Sequence, residues 1–596
     1  MQSLSQRSQR PRELTWYHAA GMLFSDWGTS RLYVLGLAFV MSAHASFWYV
    51  AAMCALMAIV GFSYTIICSH FPDGGGVYSA TKNRSRPLAV VGALLLIVDY
   101  VVTAALSAYE GFRYILPDSV EPQYAMYAAV LAIIGIGVLN GFGPRRAGVV
   151  AAVIAVLAAL FYLVIGVFCI FKSGHADIQA PHEAFSQQWS HFVNVILALS
   201  GVEAIANMTG IMAEPVARNA RRAIWIVLCE VVILNLVIGY AMNALPADFL
   251  AATTPVDQQD HMVKLISTYY IGPGFASLSS FFFGALLVWA ANTAVSDMVS
   301  IQYLMGRDKE LPDALTSLNR FGVPWIALIG AAGVPAAVLL VVGAHMEILA
   351  GMYAIGVVGA IAINLLACGS NLKLDLAKWE RTTLLAVGVI VFCIGVTIAF
   401  DKPAARNFAA IILAVGLTAR YVGQRARARL PAPAVQPAAA VAGTPLLAHA
   451  NIPSAMARYL VPTQGNPKLF KFAVGLAKDK KAAIFVLFVR EVALAFKERG
   501  GPVATDKMTL ANDKDAQRIF AEVKKECDAA GVPMVPLYAV HDSPAELILD
   551  HAATLGVDAV LMGVSKRGAL WKTLRGDVLQ EVITYLPQSI PLLIHA

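Results

Sequence analysis

Asp26-Trp27-Gly28-Thr29-Ser30-Arg31-Leu32-Tyr33 lies inside the first long apolar stretch of this 596-residue chain. An ionised carboxylate at membrane depth is costly and marks a pathway or a site rather than a lipid-facing surface. Gly28 and the Gly-Thr-Ser run propagate a helix poorly, so the stretch is expected to break where the charge sits. A helix broken at membrane depth is how secondary transporters build a binding site.

The rest of the chain supports a membrane setting. Hydrophobic residues make up 58% and charged residues only 14%, against about a quarter charged in soluble domains. At about 20 apolar residues per crossing, the pattern predicts about twelve spans, at 16–42, 46–69, 87–116, 123–140, 147–171, 188–212, 221–243, 271–302, 324–343, 346–369, 379–399 and 404–421. One set of loops collects Arg7, Arg10, Arg12, Lys82, Arg84, Arg86, Arg145, Arg146, Arg218, Arg221, Arg222, Arg307, Lys309, Arg320, Lys373, Lys378 and Arg381. The opposite loops, 117–122 and 244–270, carry Asp118, Glu121, Asp248, Asp257 and Asp260 against Lys264. The positive-inside rule then places both termini in the cytoplasm of a bacterial-type inner membrane, and the net charge of +7 suits an anionic leaflet. Residues 1–12 are polar and basic without a cleavage pattern, so the first span is expected to be retained. The seven cysteines show no metal-ligand spacing or disulfide framework, and no basic stretch interleaved with aromatics suggests nucleic acid.

Polar groups line this span and several others. Asp26, Ser30 and Tyr33 share a helix face, offering a carboxylate and two hydroxyls to a hard monovalent cation, although Asp26 could instead satisfy a freed backbone group. In the third span Asp99, Thr103, Ser107 and Glu110 form one stripe. The hydroxyls could bond back to their own helix and Asp99 could be an ion-pair partner. In the sixth span Ser200-Gly201-Val202-Glu203 places another carboxylate beside a glycine. The first and sixth spans correspond in an inverted repeat. Out of water a carboxyl can exchange a proton near neutral pH, which makes Glu203 the candidate proton carrier, with Asp99 beside it. Tyr353 alone reads as an interfacial or core tyrosine, and Asp297 reads equally as an ion-pair partner of Arg307 or a neighbour and as a binding group. Gly74, Gly75 and Gly76, after the second span, read as a hinge or gate.

After Arg420 the composition changes. Residues 423–455 read as an Ala/Pro/Arg-rich linker, and 456–596 alternate strands (459–462, 483–489, 533–539, 559–563, 590–594) with helices (467–478, 513–530, 543–555, 578–586). Such alternation predicts a parallel sheet with right-handed crossovers. The expected domains are therefore a tail at 1–15, a helical membrane domain at 16–422, the linker, and an α/β domain at 456–596. No catalytic constellation is evident, so the chain does not read as an enzyme.

Residues 13–422 resemble the amino acid–polyamine–organocation superfamily, and within it the potassium uptake permeases of the Kup and KimA types. The resemblance rests on Asp-x-Gly-Thr-Ser-x-Leu-Tyr in span one and Pro-x-Gly-Gly-Gly-x-Tyr after span two. It implies a five-plus-five inverted repeat, proton-coupled potassium import and a homodimer. It also implies a potassium site at Asp26, Tyr33, Thr103, Ser107, Ser200, Glu203 and Tyr353, Ser200 replacing the family's threonine. Arg31 is a departure. In an unbroken helix it points about 140° from Asp26. If the helix unwinds, Arg31 and Ser30 could modulate the substrate, and an amino acid or small organic anion stays open as the alternative. The tail resembles universal stress protein domains. Its nucleotide loop, at Gly563, Gly568 and Gly576, departs from the family's spacing, and Asp577 puts a negative charge where a phosphate would sit, which weighs against ATP. Lys566, Arg567, Lys572 and Arg575 could still receive an acidic nucleotide or form a solvated basic face. The resemblance suggests dimerisation or regulation through this domain.

Overall fold

The first apolar stretch breaks at Gly28. Helix α1 (Trp16–Trp27) ends there and α2 (Arg31–Ser42) restarts three residues later. Two hydroxyls take carbonyls that lose their amide partners at the break. Thr29 Oγ1 donates to Asp26 O at 2.7 Å and Ser30 Oγ to Trp27 O at 2.8 Å. A one-turn 3₁₀ segment, Ala43–Ala45, then leads into α3 (Ser46–His70).

In this computed structural model the described residues are 14–72, 74, 76–82, 84–117, 119–142, 147–319, 321–343, 346–429, 456–491, 510, 513–541, 544–563, 578–587 and 590–595. The membrane part continues with α4 (Val77–Lys82), α5 (Arg86–Ile115), α6 (Pro122–Asn140), α7 (Ala147–Lys172), α8 (Phe185–Asn194), α9 (Ala204–Met208) and α10 (Val216–Met242). Three short helices follow, α11 (Ala247–Ala251), α12 (Pro255–Asp260) and α13 (Met262–Tyr270). The bundle closes with α14 (Pro273–Arg307), α15 (Trp325–Val342), α16 (Met346–Gly369), α17 (Lys378–Asp401) and α18 (Pro403–Arg429).

Among the described residues, ten helical stretches are long and apolar enough to cross a membrane, where the sequence suggested about twelve. The difference has two sources. Residues 16–70 run as one helical stretch although they contain a break and a turn. The expected span at 188–212 is split into α8, a 3₁₀ segment Val195–Leu199 and α9. Irregular backbone at this depth needs internal hydrogen-bond partners. One comes from the other break, where the Trp27 indole donates to Ala198 O at 3.1 Å, fully buried.

The tail is a five-stranded all-parallel sheet ordered β3-β2-β1-β4-β5, from β1 (Arg458–Pro462), β2 (Ala483–Glu491), β3 (Met534–His541), β4 (Ala559–Gly563) and β5 (Leu592–His595). Strand alternation sorts its apolar residues onto two faces. Val461, Ile484, Val486 and Leu561 pack against helices Pro467–Lys480 and Lys514–Ala530. Leu460, Phe485, Leu487 and Val560 pack against Pro544–Thr554 and Val578–Tyr585. Both faces of the sheet are covered, as a parallel sheet requires.

Candidate binding site at two helix breaks

The two breaks meet. Gly201 adopts φ +98°, and a methyl group built on it would lie 2.8 Å from the Trp27 amide nitrogen and 3.1 Å from Asp26 Cγ. Only glycine allows both that backbone and that approach. Gly201→Ala is therefore expected to lower stability by about 1–2 kcal/mol through the left-handed backbone alone, and to part Asp26 from Glu203. A thermal unfolding midpoint equal to that of the unmodified protein would show that the breaks do not need this contact.

Around the junction the structure gathers oxygens. Glu203 Oε1 accepts the Gly201 amide at 3.4 Å. Thr103 Oγ1 donates to Asp99 Oδ1 at 3.1 Å. The Asp99 and Glu203 carboxyls come within hydrogen-bonding reach of each other. Two ionised carboxylates can only accept, and Asp99 Oδ2 and Glu203 Oε2 are both buried without a hydrogen-bond partner among the described residues. Ser200 Oγ is buried, faces the Tyr353 hydroxyl and makes no well-formed hydrogen bond among the described residues. The Tyr353 hydroxyl in turn meets that of Tyr33. Helix α16 is held close at this level by Gly356, where an added methyl would lie 2.9 Å from Asp99 Cα. Ser107 is buried one turn beyond Thr103 on α5, with Glu110 past it.

Arg31 faces away from these groups. Its guanidinium makes a bidentate pair with Glu230 on α10, at 3.1 and 2.6 Å, and lies 4.4 Å from the Tyr162 ring centroid. Ser30 spends its hydroxyl on the backbone of the break. Asp297 corrects the expectation of a partnership with Arg307. Arg307 engages Asp308 at 3.0 Å, whereas Asp297 is within electrostatic reach of Asp26, Glu203 and Tyr100. The ten residues between Asp297 and Arg307 rise about 15 Å along an unbroken helix, too far for an ion pair.

The sequence reading missed several residues near the site. Trp27 carries the indole donor. Asn207, one turn past Glu203, donates to the Tyr100 hydroxyl at 3.1 Å and fills the space beside Gly76. The i, i+4 spacing of Glu203 and Asn207 was the available signal. Gly74, with φ +136°, and Gly76 flank Gly75, which lies outside the described residues. In the tail, Gly563 ends β4, and Gly568, Gly576, Asp577 and the basic residues between 566 and 575 lie outside the described residues.

Two broken helices crossing at an oxygen-lined centre, inside ten apolar crossings, define a multi-pass membrane protein of the secondary-transporter kind. The chain belongs to the amino acid permease family, whose model matches residues 14–418. Residues 458–593 match the universal stress protein family and form a domain of that kind. The chain is 27% identical over 387 residues to the potassium transporter KimA of Bacillus subtilis (strain 168), covering 59% of this chain and 61% of that protein. It is also 27% identical over 139 residues to Potassium transporter 10 of Arabidopsis thaliana, covering 21% of this chain and 17% of that protein. It thus spans about three fifths of the first relative's length and less than a fifth of the second's. Among solved structures, a universal stress protein from Archaeoglobus fulgidus shares 16% identity at TM-score 0.18, covering 23% of this chain and 92% of that one.

Proposed function

We propose that the chain imports potassium together with protons through the site at the two helix breaks. The observation that carries this reading is the set of buried, unpartnered oxygens of Asp99, Glu203 and Ser200, beside Asp26, Tyr33 and Tyr353. The nearest arginine on the broken span is turned away onto Glu230. Buried carboxylates with one oxygen each left without a donor among the described residues need a counter-cation or a proton. Carboxylates interleaved with the hydroxyls of Ser200, Tyr33 and Tyr353 suit a large, weakly polarising cation. The similarity to the potassium transporter KimA agrees with this reading.

In this scheme Asp26, Tyr33, Thr103, Ser107, Ser200, Glu203 and Tyr353 supply oxygens to the ion. The proton is shared by the neighbouring Asp99 and Glu203 carboxyls, because two buried carboxyl groups this close disfavour both being ionised at once. It leaves when the site opens to the cytoplasm. Both termini and the Arg-rich loops are cytoplasmic, and the loop helices α11–α13, on the acidic side, face outward. The two breaks occupy corresponding places in a five-plus-five inverted repeat. The protein works as a homodimer in a bacterial-type inner membrane, with the universal stress protein domain dimerising or regulating it.

Potassium-limited growth of an uptake-deficient bacterial strain tests the reading. The full chain is expected to restore growth. Removal of residues 423–596 is expected to leave transport competence but change its regulation or assembly. No rescue by protein shown to be in the membrane would transfer the proposal to an amino acid or organic anion substrate. Unchanged assembly and unchanged regulation in the shortened chain would leave the tail without either role.

A further inference from the structure

Outward of the cation site, α5 carries a carboxyl that the scheme above does not use. Glu110 is 0% exposed and neither of its oxygens has a hydrogen-bond partner among the described residues. Its helix meets α14 here through Gly111, where an added methyl would lie 2.8 Å from a Val288 methyl and 2.9 Å from Gly284 O. The nearest atoms of that wall are a valine side chain and backbone. The titratable and charged groups that face Glu110 are Tyr109, Arg113 and Tyr114 on its own helix, Tyr33 on α2 and Asp260 at the end of α12. Arg113 Nη2 lies 3.8 Å from Asp260 Oδ2. His261 follows, 2% exposed, with Nε2 unpartnered among the described residues, its ring edge-on to Tyr114 and Nδ1 3.9 Å from Asp257.

This cluster grips the outer half of the broken first span. The Tyr114 hydroxyl donates to Leu32 O at 3.0 Å, one residue before Tyr33. One turn further along, Gly36 lies directly against the Gln258 and Gln259 carbonyls of α12. The loop helices therefore cap α2 and cover Glu110.

We infer that Glu110 is a separate proton-binding site, loaded from outside, whose occupancy lets the α12–α13 cap close on α2. A buried cluster of Glu110, Arg113 and Asp260 has one excess negative charge when all three are ionised, and a buried uncompensated charge is strongly disfavoured. A proton on Glu110 leaves the Arg113–Asp260 pair neutral overall. A potassium ion would need several oxygens at this point, and the Arg113 guanidinium acts electrostatically on Glu110 here. When the cap lifts, water reaches Glu110 and a proton can bind from the outer side. When the cap closes, the neutral carboxyl is sealed in and Tyr33, in electrostatic reach of both Glu110 and Asp26, is held in place.

The inference rests on the proposed potassium import, and the test separates the two. Potassium uptake into vesicles containing the reconstituted full chain is measured against external pH, and potassium binding by thermal shift. The unmodified protein is expected to transport faster as the outside is acidified. Glu110→Gln, which imitates the protonated carboxyl, is expected to bind potassium within about twofold of normal while the response of its rate to external pH weakens to what the proton carried by Asp99 and Glu203 alone imposes. Asp260→Asn leaves Arg113 to pair with Glu110, so its half-maximal rate is expected to move toward more acidic external pH. Should Glu110→Gln not fold, the Asp260→Asn profile decides alone. An unaltered pH profile in a folded Glu110→Gln, or in Asp260→Asn when that variant decides alone, would overturn the inference and leave potassium import standing. Absence of potassium uptake by the unmodified protein would overturn the function itself.

Discussion

Asp26→Asn is expected to abolish potassium uptake while the protein still folds and inserts. The carboxylate closes the last turn of α1, with the Gly201 backbone against its Cγ position, and its amide replacement is nearly isosteric, so packing is preserved. What changes is charge. An interaction with an ionised partner contributes about 1.5–3 kcal/mol, so affinity for the cation should fall roughly 10- to 150-fold. Glu203→Gln should lose uptake by a second route. Its amide can still occupy the turn at Gly201, but it can donate a hydrogen bond to Asp99 permanently, and no proton is left to release. Binding measured by thermal shift should therefore weaken in Asp26→Asn. In Glu203→Gln it should survive at reduced affinity while transport stops. Normal uptake in both variants would remove the site from the helix breaks.

The tail sheet and the broken first helix were readable in the sequence because both depend on short-range patterns. Five alternating apolar runs separated by helical stretches leave few arrangements. A carboxylate followed by Gly-Thr-Ser leaves little choice but to interrupt an apolar helix, and the hydroxyls of Thr29 and Ser30 show the physical reason. Readings that needed distant partners fared differently. Arg31 turns away from Asp26 although the helix breaks between them, because its guanidinium goes to Glu230, which lies 199 residues later and which no local spacing announces. Asp297 looked like a neighbour of Arg307 because both lie near one end of a span. The 35-residue length of α14, unbroken through both positions, is what separates them. The contact between Trp27 and Ala198 and the approach of Gly201 to Asp26 are likewise products of the crossing of two breaks. Sequence shows each break, whereas only the fold shows that they touch.

Breaking the Arg31–Glu230 pair from one side is expected to destabilise the protein by about 3–5 kcal/mol, because the remaining charge has no compensation in a buried setting. The two sides are unequal. The Arg31 side chain is fully enclosed, whereas Glu230 retains 24% exposure. Glu230→Ala strands a guanidinium between the Phe24 and Tyr162 rings, while Arg31→Ala strands a carboxylate with some access to polar surroundings. Glu230→Ala should therefore lower the thermal unfolding midpoint more. Replacing both residues by methionine removes both charges at similar volume, and such replacements of buried ion pairs are often neutral or stabilising. That double variant separates the two substrate classes. If Arg31 serves only to anchor α2 against α10, the double variant should fold, keep its KM for potassium within about twofold and transport at a rate set by how well α2 is still held. If Arg31 instead recognises a carboxylate on an amino acid or organic acid, the double variant should be as stable as the unmodified protein and unable to transport its substrate, because the cation facing that carboxylate is gone. Stability regained without transport would therefore move Arg31 from the scaffold into the substrate path. Stability and potassium uptake regained together would leave the carboxylates of the two breaks as the charges that select the substrate.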